Sequence, residues 1–197
     1  MQKITPFLWF DGKAEEAMNF YVSIFKNSKV GRVSRYGEGG PGPKGTVMSA
    51  TFQLDGQDFF ALNGGPQFQF TPAISFFVNC ETQQEVDELW DKLSEGGKKE
   101  RCGWLRDKYG LSWQIIPSVL GELLQDKDPE KSRRVMRAML QMDKIDIQRL
   151  QQAYAGITEF RSRRDGASPV QAEPGSAAHS HRTTSDSAFL YLAASPY

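Results

Sequence analysis

The chain opens a strand and a helix in the same way twice. Ile4-Thr5-Pro6 leads into one apolar run, ITPFLWF, and Phe70-Thr71-Pro72 leads into another, FTPAISFFV. Each run passes through polar residues into an amphipathic stretch. In the first stretch Ala14, Ala17, Met18, Tyr21 and Phe25 recur at the spacing of one helix face, and in the second Val86, Leu89, Trp90 and Leu93 do the same. Thr82 followed by Glu85 reads as a capping box, and Gly96-Gly97 as the stop. β signals follow each helix. After the first come VGRVSRY, a Gly/Pro loop (GEGGPGPKG), then TVMSATFQL and DFFALN, joined at Asp55-Gly56, a hairpin turn pair. After the second come CGWLRD and, past Tyr109-Gly110, LSWQIIP. The pattern predicts an α+β fold of two paired βαβββ modules, residues 1–66 and a more compact 67–117. Such a unit buries one face of its sheet against its helix. The other faces are then free to curl together around a pocket.

Residues 118–156 predict a helical appendix. Asp128-Pro129 is a cap followed by a first-position proline. Val135, Ala138, Met139 and Met142 form a stripe, and Asp146 caps a last helix carrying Ile147, Leu150, Ala153 and Tyr154, which stops at Gly156. Beyond it the composition changes to RSRRDGASPVQAEPGSAAHSHRTTSDSA. That stretch has too little apolar surface to offset the entropy of ordering, so residues 157–197 are expected to be a disordered tail.

Composition excludes several function classes. Lys+Arg 24 balance Asp+Glu 24 in 197 residues, which leaves no global positive field to hold a nucleic-acid backbone. No apolar run reaches the roughly 18 residues of a membrane helix. MQKITPFLWFDGKAEEA lacks the basic and long apolar regions of a secretory signal. Cys80 and Cys102 cannot build a disulfide framework, and a reducing, cytoplasmic setting suits them.

Four segments carry a resemblance: ITPFLWFDGKAEEAMNFY, SATFQLDGQDFFALNGG, FTPAISFFVNCETQQEVDELWDKLSEGG and CGWLRDKYGLSWQIIP. In this order and spacing they resemble the PhnB-like branch of the vicinal oxygen chelate superfamily, which includes glyoxalase, bleomycin-resistance proteins and extradiol dioxygenases. The resemblance extends over residues 3–155 and includes KIDIQRLQQAYAG. It implies paired modules whose strands form a cleft, often in a homodimer. This branch also carries the label 3-demethylubiquinone-9 3-methyltransferase-like. Metal-dependent members of the superfamily hold a divalent cation on inward-facing His, Glu or Gln residues and share it with two substrate oxygens. The matching positions here fall at Thr5 or Pro6, Ile74 or Ser75, Ala61-Leu62-Asn63, and Gln114.

Those positions are poor in ligands. The only histidines are His179 and His181, and residues 1–156 contain none. Neutral oxygens from Thr, Ser and Asn do not offset the dehydration of a divalent ion. The expectation is a metal-free cleft with no cofactor, in which Gln114 is a hydrogen-bonding residue. The thiols of Cys80 and Cys102 lack a histidine base and are expected to be buried and inert. GEGGPGPKG fails as a phosphate loop, because Lys44 is flanked by Pro43 and Gly45 and a strand follows; it is read as a loop over the cleft. No strand feeds a glycine-rich turn into a helix, so the crevice that would hold S-adenosylmethionine is missing.

Aromatic residues are the richest remaining signal. About half of those on alternating strands should be core, and the rest should line the cleft. The expected pocket residues are Phe7, Trp9, Phe52, Phe60, Asn63, Ser75, Phe77, Trp104, Trp113 and Gln114. The resulting functional expectation is a homodimeric protein that binds a small apolar or aromatic molecule, with no catalytic residue assigned. Two alternatives stand beside it: a glyoxalase-like lyase or isomerase working through Gln114, and a non-catalytic protein that associates through its appendix helices.

Overall fold

The computed structural model describes residues 2–157. The first module runs β1 (Phe7–Phe10), α1 (Ala14–Ile24), β2 (Lys29–Arg35), β3 (Val47–Leu54) and β4 (Gln57–Asn63). The second runs β5 (Ser75–Cys80), α2 (Gln83–Ser94), β6 (Lys98–Lys99), β7 (Trp104–Arg106) and β8 (Ser112–Pro117). Each forms a four-stranded sheet of the same order, β1-β4-β3-β2 and β5-β8-β7-β6. In both sheets the first strand runs parallel to the last, with Phe7 opposite Phe60 and Phe77 opposite Gln114. The other pairs are antiparallel. Parallel neighbours need a long crossover, and the helix supplies it. The sequence duplication is therefore a duplication of topology.

Local chemistry sets the boundaries. Asp55 and Gly56 both have positive φ, 46° and 77°, as a two-residue primed turn requires. Thr82 Oγ1 accepts from the backbone N–H of Glu85 at 3.2 Å, while Glu85 Oε2 accepts from the N–H of Glu81 at 2.8 Å. The capping box is thus reciprocal, although the glutamate reaches one residue further back than usual. At α1, Lys13 provides no side-chain cap. Asn63, at the end of β4, accepts from the N–H of Ala14 at 2.8 Å instead. The loop between β2 and β3 is closed at its base, where Tyr36 N–H donates to Thr46 O and Gly45 N–H donates to Tyr36 O, both at 2.9 Å.

Alternation divides each sheet into two faces. Leu8 and Phe10, Ala50, Phe52 and Leu54, and Phe59 and Ala61 point from the first sheet into a core with α1. Cys80, Leu105, Trp113 and Ile115 point from the second sheet into that same core with α2. Ring contacts join the modules: Phe59 to Phe76 and Phe25 to Trp113 at 5.3 Å, and Tyr21 to Trp113 at 5.4 Å. Within it Asp107, 3% exposed, accepts from Tyr21 OH at 2.7 Å. Helix α1 of one module is thereby tied to the β7–β8 turn of the other.

Because the two helix-side faces merge into one core, the remaining faces of the two sheets are turned away from it. Within the one chain a hollow of about 500 Å³ lies where the two modules meet, lined by residues that include Leu54, Phe59, Phe76, Phe77 and Trp113. The bulky side chains on the helix-side faces bury their apolar surface against each other, and this fixes the arrangement.

The appendix forms α3 (Ser118–Leu124), α4 (Pro129–Met139) and α5 (Ile147–Ala155) around a second cluster that includes Ile116, Leu120, Val135, Met139, Ile145 and Leu150. The caps expected at Asp128 and Asp146 are made, to Glu130 N–H at 2.9 Å and Arg149 N–H at 3.0 Å. Gly156 ends α5 with φ 77°. The short helix α3 was not legible in the sequence, since it has no side-chain cap. Neighbouring Ile115 and Ile116 belong to different clusters, so the appendix covers the Ile116 end of the second sheet's outer face. Among the described residues no helix is long and apolar enough to cross a membrane. The expected tail, with His179 and His181, lies outside the described residues apart from Ile157.

Candidate functional site

Seven of the ten expected pocket residues stand on the outer faces. On the first sheet Phe7 stacks on Phe60 with ring centroids 5.8 Å apart. They are 60% and 41% exposed. Trp9 lies beside them, with its indole donating to Gly65 O at 2.9 Å and its ring edge-on to Phe68 at 4.9 Å. A hollow of about 310 Å³ borders Phe60, lined also by Thr5, Thr51, Gln53 and Asp58. Gln53 Nε2 donates to Asp58 Oδ1 at 2.6 Å, which fixes the polar side of that hollow.

On the second sheet Ser75, Phe77, Trp104 and Gln114 share the outer face. Their registers place Gln114 opposite both Phe77 and Trp104, and Ser112 opposite both Ser75 and Arg106. Gln114 Nε2 donates to Ser75 Oγ at 2.8 Å. Phe77 is 36% exposed. Arg106 Nε donates to Glu100 Oε1 at 2.9 Å, and the Glu100 side chain is only 7% exposed. This ion pair sits at the rim of the face.

The other three residues are placed elsewhere. Phe52 and Trp113 are 2% exposed and point into the shared core. Trp113 is held there by its indole, which donates to Asp107 Oδ2 at 2.9 Å. Phe52 stacks on Phe59 at 5.3 Å. Both belong to the helix side because they share alternation with the buried Leu54 and Ile115. Asn63 accepts from Ala14 and donates from Nδ2 to Val47 O at 3.1 Å, so it serves as a helix cap.

The donor set does not suit the divalent cation that the superfamily implies. Gln114 Nε2 is engaged by Ser75 Oγ, and both residues offer only neutral oxygens. Among the described residues no group of three or more His, Cys, Asp or Glu could hold a metal ion. The thiols are poor nucleophiles. Burial pushes Cys80 up to about 12, helped by the carboxylates of Glu85 and Glu81, and burial also raises Cys102.

Sequence reasoning did not single out Arg106, Glu100, Ser112 or Asp107. Their one shared signal is position: all lie in or beside the short β7 and the turn that follows it, where a charged or small polar residue reads as ordinary surface.

A family profile described as 3-demethylubiquinone-9 3-methyltransferase matches residues 2–116. The chain belongs to this family, the PhnB-like branch of the vicinal oxygen chelate superfamily. The PhnB protein from Bacillus cereus is 48% identical over 59% of this chain and 100% of its own, with a TM-score of 0.56. Protein PA1353 from Pseudomonas aeruginosa is 20% identical over 59% of this chain and 98% of its own, with a TM-score of 0.50, and shares the fold. No curated protein matches the sequence at a significant level. The matched region of this PhnB-like chain is the two-module body, and the appendix lies beyond the profile.

Proposed function

We propose that this PhnB-like chain binds a small apolar or aromatic molecule in a metal-free cleft between sheet faces, and that the cleft is completed in a homodimer. One observation carries the reading. Phe7, Phe60 and Phe77 stand well exposed at outward strand positions that the chain's own core leaves uncovered. Apolar side chains left exposed in this way, the stacked Phe7 and Phe60 above all, mark an interaction or ligand site. Setting the first sheet's outer face of one protomer against the second sheet's outer face of its partner would enclose both sets of aromatic side chains. The pocket would then be aromatic-walled with a few polar anchors, as small-molecule sites are.

The family description names a methyl transfer, but the chain offers no support for it. Among the described residues no strand runs through a glycine-rich turn into a helix at a crevice of the nucleotide-binding kind. Gln114, the position where a superfamily ligand often stands, donates its amide to Ser75 Oγ. The two free, buried cysteines suit a reducing cytoplasmic setting.

Fluorescence titration with naphthalene-sized aromatics tests the reading, since Trp9 and Trp104 lie on the outer faces. Binding should be saturable, and Phe60→Ser or Phe77→Ser should each weaken it by about tenfold, the loss of one well-buried aromatic contact. Sedimentation should show a dimer. A monomer that binds none of these compounds would overturn the proposal.

A further inference from the structure

The outer-face cleft does not account for the hollow of about 500 Å³ where the two modules meet. Its aromatic wall is continuous across the seam. Phe25 stacks on Trp113, Trp113 touches Phe76, and Phe76 meets Phe59 edge-on, each pair with ring centroids 5.3 Å apart. Phe25 and Phe59 come from the first module, Phe76 and Trp113 from the second. All four pack in or against the shared core, so this wall lies on the helix side. β5 is an edge strand, and the hollow passes around it to Phe77. Its volume is that of a small-molecule site rather than of a packing defect.

The rim of the hollow is acidic. Asp55 in the β3–β4 turn and Glu85 and Glu88 on α2 face a single cation, Lys26, just past α1. Three carboxylates against one ammonium leave two negative charges over. Among the described residues none of these four side chains is in an ion pair. Glu85 and Glu88 accept only from neutral donors, Glu81 N–H at 2.8 Å and Gln84 Nε2 at 3.0 Å, which cancel no charge. The end of α1 and the start of α2 both border the hollow, and their opposite partial charges of about half a unit offset each other. The carboxylates do not converge on one point: among the described residues no three acidic, His or Cys side chains form a group that could hold a metal ion. The negative field is spread along the rim of an aromatic wall.

We propose that this hollow binds an organic monocation with an apolar body, such as an arylalkylamine. The body leaves water for the aromatic wall, and the ammonium is drawn to the acidic rim and to the ring faces. A neutral aromatic gains the wall alone. An aromatic carboxylate meets like charge. The site lies beyond the outer-face cleft and does not depend on it.

Naphthylmethylamine, naphthylmethanol and naphthylacetate share one ring system and differ in charge. Calorimetry with the full-length protein at low salt should rank them in that order, with the amine about tenfold tighter than the alcohol. Raised salt should erase that advantage. Asp55→Asn keeps a residue that tolerates the φ of 46°, and Glu88→Gln keeps the acceptor for Gln84. Each should weaken the amine about threefold and leave the alcohol unchanged, whereas Lys26→Gln should tighten the amine by a similar factor. The ranking should persist in Phe60→Ser, which alters the outer face alone. In the unaltered protein the amine should shift the indole resonances of Trp113 ahead of those of Trp104, so the proposal stays testable if a variant fails to fold. An alcohol that binds as tightly as the amine would overturn it, as would an amine insensitive to both Asp55→Asn and Glu88→Gln. If Phe60→Ser abolishes amine binding, the amine sits in the outer cleft and this inference alone falls. If the amine binds as described to a monomer that takes up no neutral aromatic, this inference stands and the outer cleft falls. If Glu88→Gln disturbs a dimer and not amine binding, the hollow is a contact between copies of the chain and the proposal falls.

Discussion

Asp107 is surrounded by donors and almost sealed from solvent. Its Oδ2 accepts from Tyr21 and Trp113, and its Oδ1 accepts from the N–H groups of Tyr109 at 2.8 Å and Leu111 at 3.1 Å. Burial pushes this carboxyl above its ordinary range, and the bonds from Trp113, Tyr21 and the two backbone groups pull the other way without cancelling it. A carboxyl whose folded pKa is raised adds stability that is complete below its unfolded pKa of about 4 and is lost as pH rises through the folded value. Asp107→Asn keeps the shape but replaces one acceptor with a donor, and should cost about 1–3 kcal/mol. Its deficit against the natural chain should be larger near pH ~3 than near neutrality, because only the natural chain carries the protonation-linked gain. Urea unfolding at the two pH values decides this, and a deficit that grows toward neutrality would contradict it. None of this was visible in DKYG, which reads as a turn. Nor could the sequence separate Phe52 and Trp113 from Phe60 and Trp104. Alternation assigns residues to two faces but does not say which face the helix covers, and here the second module settles that choice.

At the scale of elements, the signals that survived were local. Asp55-Gly56, the Thr82 box, Asp128-Pro129 and Gly156 each act within a few residues, and each appears where its chemistry put it. The elements that stayed hidden depend on distant partners. The two-residue β6 exists through its pairing with β7, with Lys98 opposite Arg106. Helix α1 begins without a local cap because Asn63, 49 positions along the chain, supplies the acceptor. Asn63 was expected to orient a ligand for its place at a strand end, yet that same place brings it to the helix. Replacing a capping side chain with alanine typically costs about 0.5–2 kcal/mol. Asn63→Ala should fall near the upper end, since it also forfeits the bond to Val47 O. Asn63→Asp keeps the acceptor for Ala14 N–H and should recover roughly half of the loss. Thermal unfolding of the two variants tests this ordering, and equal losses would show that the cap contributes nothing.

At the scale of the molecule, two surfaces compete for the role of interface: the aromatic sheet faces and the appendix. The appendix is already engaged. Met142 O and Asp143 O accept from the N–H groups of Cys102 at 2.8 Å and Gly103 at 2.7 Å, and Gln83 joins it at both ends of its amide, to Ile145 O and from Ile147 N–H. Its apolar stripe closes on Ile116 and on itself. Of the exposed phenylalanines, Phe7, Phe60 and Phe77 are on the sheets. A chain ending at residue 117 should therefore keep the two-module body, which spans the region matched by the family, and should keep its dimer. It should lose about 2–4 kcal/mol, from the uncovering of Ile116 and its surroundings and from the two freed backbone donors. A chain ending at residue 157 is the control that separates the appendix from the tail. Sedimentation and near-ultraviolet circular dichroism read assembly and tertiary packing independently. A folded but monomeric 117-residue chain would assign association to the appendix and remove the reason for setting sheet against sheet. A dimer that falls apart on Phe60→Ser while the truncated chain still dimerises would place the contact on the sheet faces.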